Sequence, residues 1–332
     1  MADRIRWGIL STANIGLGRF IPGAQQSNNG DVVAIASRDG ARAAEAAAKL
    51  GIPRAHSSYE ALLADPEVDA IYNPLPNNMH LEWTLKAAAA GKAILCEKPL
   101  TRDAEEAVAL VEGCKRYGVL LMEAFMYRFH PQHARVRALI DSGAIGELCG
   151  VRTAFTFHMD PFDPNNVRLR SDLAGGSLMD VGCYAVNAAR MLFGEEPVAA
   201  VATYDLRPEF GVDVALSGTL EFSEHRFATL NCGFRGAGQG WYLVVGSKGT
   251  IEVPMAFVPG TADTLVILTD GTGRHEERIP GVDQYTLEAE EFAACLLENR
   301  QPRIPAEDGI ANMRAIDALY RSARADSHRQ VV

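Results

Sequence analysis

The chain lacks any run of about 18 apolar residues, the length a membrane-crossing helix needs, although 48% of its 332 residues are hydrophobic. It has no C-x-x-C pair: Cys96, Cys114, Cys149, Cys183, Cys232 and Cys295 lie scattered among apolar or small neighbours. That pattern reads as reduced, mostly buried thiols in a reducing compartment, not as a disulfide framework. The opening Met1-Ala2-Asp3-Arg4-Ile5-Arg6-Trp7 has no apolar core of a secretory signal, so a cytoplasmic location is expected. Positive charge is short, with 32 Lys and Arg against 42 Asp and Glu and a net charge of −10. This argues against nucleic acid or an anionic membrane as a main partner. An intact G-x-G-x-x-G turn, the usual signature of a dinucleotide loop, is also missing after the first strand.

What is present fits two domains of ordinary size, expected at 1–124 and 125–332. Strand-like stretches at Ile5–Leu10, Val32–Ala36, Asp69–Asn73, Ile94–Cys96 and Val119–Glu123 alternate with helical ones at Leu17–Gln26, Ala41–Leu50, Tyr59–Ala64, Leu81–Ala90 and Asp103–Tyr117. Repeated β-α-β units of this kind predict a doubly wound, Rossmann-type parallel sheet, an α/β fold. After the first strand, Ser11, Ala13 and Gly16 stand at the three glycine positions of the missing motif. Small side chains still allow a pyrophosphate close to the backbone, and a helix N-terminus presents free N–H groups. Arg38 follows Gly16 by 22 positions, close to the spacing of the ribose-reading residue. Ser37 and Arg38 there offer a hydroxyl and a guanidinium, which suits the 2′-phosphate of NADP. Asp39, one place later, keeps NAD possible.

Ile94-Leu95-Cys96-Glu97-Lys98-Pro99 ends a short apolar strand abruptly in a charged pair and a proline. In open α/β sheets ligands bind beyond the carboxyl ends of the strands, so Glu97 and Lys98 are expected at the crevice mouth. Proline permits a cis bond far more readily than other residues, and a cis Lys98-Pro99 bond would redirect the lysine. The Pro74-to-His80 turn follows another strand end; Asn77 and Asn78 there can equally be helix caps.

Beyond Gly150, alternating stretches at Val151–His158, Val198–Leu206, Asp213–Phe222, Arg226–Phe234, Gly240–Gly246, Ile251–Val253 and Leu265–Thr269 read as strands. They predict an α+β second domain with an open, mostly antiparallel sheet and terminal helices at Tyr285–Asn299 and 307–325, the latter returning to the first domain. The tail 326–332 is expected to fray. One sheet face must cover helices, and the other commonly needs a second subunit, giving a homodimer or homotetramer through this sheet. Asp180, Tyr184 and Asn187 are spaced to share one helix face, a pattern that serves packing as readily as chemistry. His130-x-x-His133 suggests a metal only faintly, because Pro131 intervenes and partner ligands are lacking; no metal is expected.

Several ordered motifs together resemble the Gfo/Idh/MocA family (glucose–fructose oxidoreductase and inositol dehydrogenase). They are Trp7 to Gly16, Asn73 to His80, Glu97-Lys98-Pro99, Glu123 to Pro131 and Gly175 to Tyr184. The resemblance implies an NADP-dependent oxidoreductase acting on a small sugar or diol. The nucleotide would be held by Ser11, Thr12, Ala13, Asn14, Ile15, Ser37, Arg38, Pro74, Leu75, Asn77, His80, Glu97 and Lys98. Lys98 is implied as catalytic, with Asp180. Many relatives carry histidine four residues after that aspartate; here Tyr184 stands in its place. This resembles the branch with glucose–fructose oxidoreductase, D-xylose 1-dehydrogenase and dimeric dihydrodiol dehydrogenase. Arg128, Phe157, His158, Arg168, Arg170 and Tyr184 are implied as substrate-pocket residues. Tyrosine titrates near 10, too high for proton transfer at neutral pH. A lysine cation about 4 Å away contributes on the order of 4 kcal/mol at an effective dielectric of 20, enough to bring the phenol toward about 7. D-Xylose or D-glucose oxidation at C1 is the expected reaction, with a trans-dihydrodiol or a sugar ketone as alternatives. A non-catalytic NADP sensor is the remaining reading of another class.

Overall fold

The computed structural model describes residues 4–332; Met1, Ala2 and Asp3, part of the opening read above, lie outside the described residues. Along the chain run β1 (Ile5–Leu10), α1 (Ile21–Gln26), β2 (Gly30–Ala36), α2 (Gly40–Leu50), β3 (Arg54–His56), α3 (Tyr59–Leu63) and β4 (Ala70–Asn73). Then come α4 (His80–Ala89), β5 (Ala93–Glu97), α5 (Ala104–Tyr117), β6 (Leu121–Ala124), α6 (Pro131–Asp141), β7 (Leu148–His158), α7 (Cys183–Phe193) and β8 (Ala199–Arg207). The rest are β9 (Val212–Glu221), β10 (Phe227–Gly233), β11 (Arg235–Gly246), β12 (Gly249–Val253), β13 (Thr264–Asp270), β14 (Gly273–Ile279), α8 (Gln284–Glu298), α9 (Ala306–Arg324) and β15 (Gln330–Val331). Among the described residues no helix is long and apolar enough to cross a membrane.

The chain divides into two compact units, one holding residues up to Met126 with Asp283–Ile310, the other Tyr127–Val282 with Ala311–Val332. In the first, six strands lie in the order β3-β2-β1-β4-β5-β6, every pair parallel. This is the doubly wound arrangement, with its reversal between β1 and β4. β4 and β5 are buried along their whole length, as strands covered on both faces must be. The helices start where the sequence supplies side-chain acceptors. Asp39 caps α2, Ser58 caps α3 and Asp103 caps α5, each accepting from backbone N–H groups of the first turn.

The second unit is built on nine strands in the order β14-β13-β12-β11-β7-β10-β9-β8-β15. All neighbours are antiparallel except β7 and β10. β10 shows why the sheet has two unlike faces: Ala228, Leu230 and Cys232 are buried while Phe227, Thr229 and Asn231 are exposed. The buried face carries α7, which packs on β7, β10 and β11. The tail does not simply fray: Gln330 and Val331 pair with Ala200 and Ala199 of β8, since the unpaired edge of β8 offers ladder partners. Three further elements carry no sequence-level expectation, β3, α6 and β14; the last is largely exposed and charged, GRHEERI, so hydrophobic alternation does not reveal it.

The approach of α7 to the sheet is set by glycine. A Cβ on Gly182 would lie 2.7 Å from Cys232 Sγ and 2.7 Å from Leu178 Cδ1, both buried. Gly182→Ala is therefore expected to cost about 1–3 kcal/mol by overpacking. Gly238→Ala, at a position with nothing within 4 Å, should stay within about 0.5 kcal/mol. Urea denaturation of the two variants checks this, and equal midpoints would refute the close approach.

Candidate active site

Nearly all the nucleotide-binding candidates of the first unit lie at or just beyond the carboxyl ends of its parallel strands. Past β1, Ser11 adopts φ 73°, the left-handed conformation for which the dinucleotide motif ordinarily uses glycine. Its Oγ offsets part of that strain by accepting from the Ala13 N–H at 3.2 Å. Thr12 and Ala13 are half-buried and Asn14 is exposed where the helix opens. Asn14 and Ile15 lead into a π-helical turn, Gly16–Phe20, and then α1, so the helix expected over Leu17–Gln26 is wider in its first half. The N–H groups of such a first turn have no intrahelical acceptors and face the strand end.

At the end of β2, Ser37 is buried and its Oγ accepts from the Asp39 N–H at 3.1 Å. Asp39 Oδ1 accepts from the Ala41 and Arg42 N–H groups at 2.9 and 3.3 Å. That carboxylate is therefore engaged as the α2 cap. Arg38 is exposed and hydrogen-bonds the Tyr59 hydroxyl, partly countering the burial that pushes this phenol up. A guanidinium at the strand end, with the neighbouring carboxylate occupied, fits a 2′-phosphate better than a bare ribose diol.

Beyond β4, Asn73 is fully buried: its Nδ2 donates to Thr84 Oγ1 at 3.1 Å and its Oδ1 accepts from the Leu75 N–H at 3.3 Å. His80 is also fully buried. Its Nε2 lies 2.7 Å from the Leu75 carbonyl, and its Nδ1 lies 3.0 and 3.2 Å from those of Pro99 and Leu100. Burial pulls this imidazole below the usual histidine range. Its place is a clamp between the Pro74–His80 turn and the turn after β5. Pro74 and Leu75 are buried and Asn77 half-buried on the first of those turns.

β5 delivers Glu97 and Lys98. Tyr72 on β4 donates its hydroxyl to Glu97 Oε1 at 2.6 Å, and Glu97 Oε2 accepts from the Lys98 N–H at 3.3 Å. Tyr72 is stacked on Phe20, with centroids 3.8 Å apart. Desolvation and the Glu97 charge push its phenol well up, so it stays a donor. Lys98 is half-buried, and the Lys98–Pro99 bond is cis.

In the second unit the expected helix face is interrupted. Asp180 lies in a π-helical turn, Leu178–Gly182, and Tyr184 in the first turn of α7. Asp180 Oδ2 accepts from Arg168 Nε at 2.6 Å. Tyr184 turns toward an aromatic box, with ring centroids 5.2 Å from Phe155, 5.6 Å from Phe257 and 5.7 Å from Tyr127. Tyr184 is 5% exposed. Asn187, fully buried, accepts from the Tyr127 hydroxyl at 2.6 Å. Buried Asp213 anchors the start of this helix, accepting from Ser177 Oγ at 2.6 Å, the Leu178 N–H at 2.9 Å and Tyr320 Oη at 2.7 Å.

Of the other pocket candidates, Phe157 is half-buried and lies 5.9 Å from the Arg168 guanidinium. His158 is exposed, as is Arg170, which pairs with its neighbour Asp172. Arg128 is half-buried beside His133. The His130-x-x-His133 pair is committed to structure. His130 Nδ1 accepts from the Gln132 N–H at 3.3 Å as the α6 cap, and the rings are 6.5 Å apart. The Ala256 carbonyl, 3.1 Å from His133 Nε2, requires a proton there, so Nδ1 accepts from Tyr242 Oη at 2.8 Å. Among the described residues no group of three His, Cys, Asp or Glu could hold a metal ion. Sequence reasoning did not find Tyr72, Phe155 or Phe257. Tyr127 lay inside a quoted motif, and Phe155 and Phe157 alternate along β7; that alternation was the available signal.

Residues 5–125 match the model of an oxidoreductase family with an NAD-binding Rossmann fold, and residues 133–252 match the GFO/IDH/MocA C-terminal domain. A D-xylose 1-dehydrogenase (NADP(+)) from Haloferax volcanii is 44% identical over 319 residues, 96% of this chain and 97% of its own. The chain belongs to the Gfo/Idh/MocA family. Another member, a trans-1,2-dihydrobenzene-1,2-diol dehydrogenase from Xenopus laevis, is 34% identical over 75% of each chain. A solved 3-ketoreductase from Actinomadura kijaniata, in complex with NADP and TDP-benzene, superposes with a TM-score of 0.91. It is 32% identical, covering 96% of this chain and 97% of its own. The chain is thus an oxidoreductase by family.

Burial holds His133 down to about 3 in the folded state, whereas an unfolded histidine titrates near 6.5. Between those values the unfolded chain binds one proton that folded His133 refuses, so this residue makes stability fall as pH drops. The slope is ~1.4 kcal/mol per pH unit. His133→Gln should flatten the stability–pH curve by that amount between about pH 6 and 4. Urea titrations at three pH values read it; an unchanged slope would refute the buried neutral imidazole.

Proposed function

We propose that this protein is an NADP-dependent dehydrogenase of an aldose or related polyol, oxidising the C1 hydroxyl of a sugar such as D-xylose or D-glucose. The observation that carries the reading is the 44% identity, over 96% of the chain, to an NADP-dependent D-xylose 1-dehydrogenase. The geometry supports it at two points: Arg38 stands at the end of β2 with Asp39 engaged as a cap, and Glu97 is fixed by Tyr72 next to Lys98.

The residues that would hold the nucleotide are Ser11 to Ile15 at the pyrophosphate, Ser37 and Arg38 at the adenosine end, and Pro74, Leu75, Asn77, Glu97 and Lys98 toward the nicotinamide. When bound, NADP supplies a nicotinamide that takes or gives a hydride. Tyr184 takes the proton from the substrate hydroxyl in oxidation and returns it in reduction. Its phenol is apolar-walled by Phe155, Tyr127 and Phe257, which keeps bulk water from competing for that proton. The Lys98 cation favours the ionised phenol. Asp180 binds through a substrate hydroxyl or orients the lysine. Trans-dihydrodiol oxidation and 3-keto reduction, the reactions named for two relatives, are the alternative readings for this chain.

The exposed sheet face, with Val201, Phe227 and Trp241 outward, is the surface we assign to pairing with a second copy. Light scattering should give a dimer or tetramer; Phe227→Asp should shift it to monomer.

Nucleotide fluorescence and absorbance at 340 nm with an aldose and diol panel test the activity. We expect tighter binding of NADPH than NADH, with the preference lost in Arg38→Ala. Tyr184→Phe should lower turnover by about 10²–10⁴-fold while nucleotide binding persists, and Lys98→Met should also abolish turnover. Tight NADPH binding with no turnover of any panel member would favour a sensor, and no nucleotide binding would sink both readings.

A further inference from the structure

Asp180 is not an isolated carboxylate. The segment that crosses it is locked so that one arginine lies against it. Asn166 Oδ1 accepts from the Arg168 N–H at 3.1 Å, and the Arg168 carbonyl accepts from the Gly176 N–H at 2.8 Å. A Cβ on Gly175 would stand 2.5 Å from that same carbonyl, so only glycine lets the segment close on itself. The backbone of Arg168 is thereby held at both ends of a tight turn. Its side chain passes 5.9 Å from the Phe157 ring and donates through Nε to Asp180 Oδ2 at 2.6 Å.

That contact uses one edge of the guanidinium. The other donors, on Nη1 and Nη2, have no hydrogen-bond partner among the described residues, and the side chain is 41% exposed. Guanidinium donors are fixed in a planar fork, so an Nε anchor also fixes where the remaining N–H groups point. The carboxylate cancels the charge, leaving an oriented donor set that suits uncharged hydroxyl oxygens better than a carboxylate ligand. Tyr184 packs on Phe155, 5.2 Å between centroids, and the Arg168 guanidinium on Phe157, two residues along the same face of β7. A polyol whose reacting oxygen meets Tyr184 thus extends a neighbouring hydroxyl toward this fork.

We infer that Arg168, anchored by Asp180, is a substrate-reading residue that donates to a hydroxyl one or two carbons from the reacting centre. It selects uncharged polyols with adjacent hydroxyls over their deoxy analogues. The inference rests on the oxidoreductase reading above for the location of the reacting oxygen. It adds which residue discriminates, and against what.

The test compares D-glucose with 2-deoxy- and 3-deoxy-D-glucose on the NADP-loaded protein. Equilibrium binding is read by NMR titration, and turnover is read in parallel at 340 nm. Wild type should prefer D-glucose to at least one deoxy analogue by about 10- to 100-fold, the range of one charge-assisted hydrogen bond. Arg168→Met should erase that preference by weakening D-glucose binding to the level of the analogue, with the analogue itself unchanged. Arg168→Lys, which keeps charge but not the fork, should restore only part of it. Loss of packing alone would weaken all three sugars together and leave the ratio intact. A preference that survives in Arg168→Met, or a wild type with none, overturns the inference. A binding preference that follows Arg168 without turnover counts against the dehydrogenase reading and leaves the arginine assignment standing.

Discussion

A parallel strand buried on both faces can present polar groups to a ligand only at its ends, ligands of an open α/β sheet gather at the carboxyl ends, and the first unit is arranged around that constraint. β4 and β5 carry no exposed residue, so the chain's chemistry is displaced to Asn73–His80 and Glu97–Pro99. Burial then has to be reconciled with charge. Glu97 is nearly enclosed, and the Tyr72 hydroxyl at 2.6 Å supplies the hydrogen bond that makes a carboxylate tolerable there. Tyr72 is itself held by stacking on Phe20. The turn bearing Lys98 is therefore fixed from below by an aromatic hydroxyl and from the side by His80, whose ring faces the Pro99 and Leu100 carbonyls.

The second unit meets the same problem with a different device. Here a helix end, not a strand end, carries the polar groups, and it is pressed to the sheet where Gly182 meets Cys232. Asp213 satisfies the donors at that helix start, including a hydroxyl from Tyr320 on α9. Asp180, in the π turn, accepts from Arg168, and Tyr184, in the first turn of α7, packs in an aromatic box. A charged contact and an apolar one within five residues give the two side chains different environments.

Much of this was legible before the structure. Alternating strand-like and helical stretches marked five of the six parallel strands and the doubly wound class, but not the strand order or the three-residue β3. Small residues at Ser11, Ala13 and Gly16 marked the turn, and the abrupt Glu97-Lys98-Pro99 ending marked the strand mouth. β14 escaped because an exposed edge strand shows no apolar alternation, and Gln330–Val331 escaped because two residues hold no period at all.

The sequence by itself determined the fold class and the strand ends that carry polar residues. Those properties follow from local patterns, read over a few neighbouring residues. Tertiary structure alone decided what each group touches: Tyr72 on Glu97, Arg168 on Asp180, Phe257 beside Tyr184, and Asp39 occupied as a cap rather than open to a ribose. The first three contacts join residues far apart in the chain, and no local period encodes a distance that only packing closes.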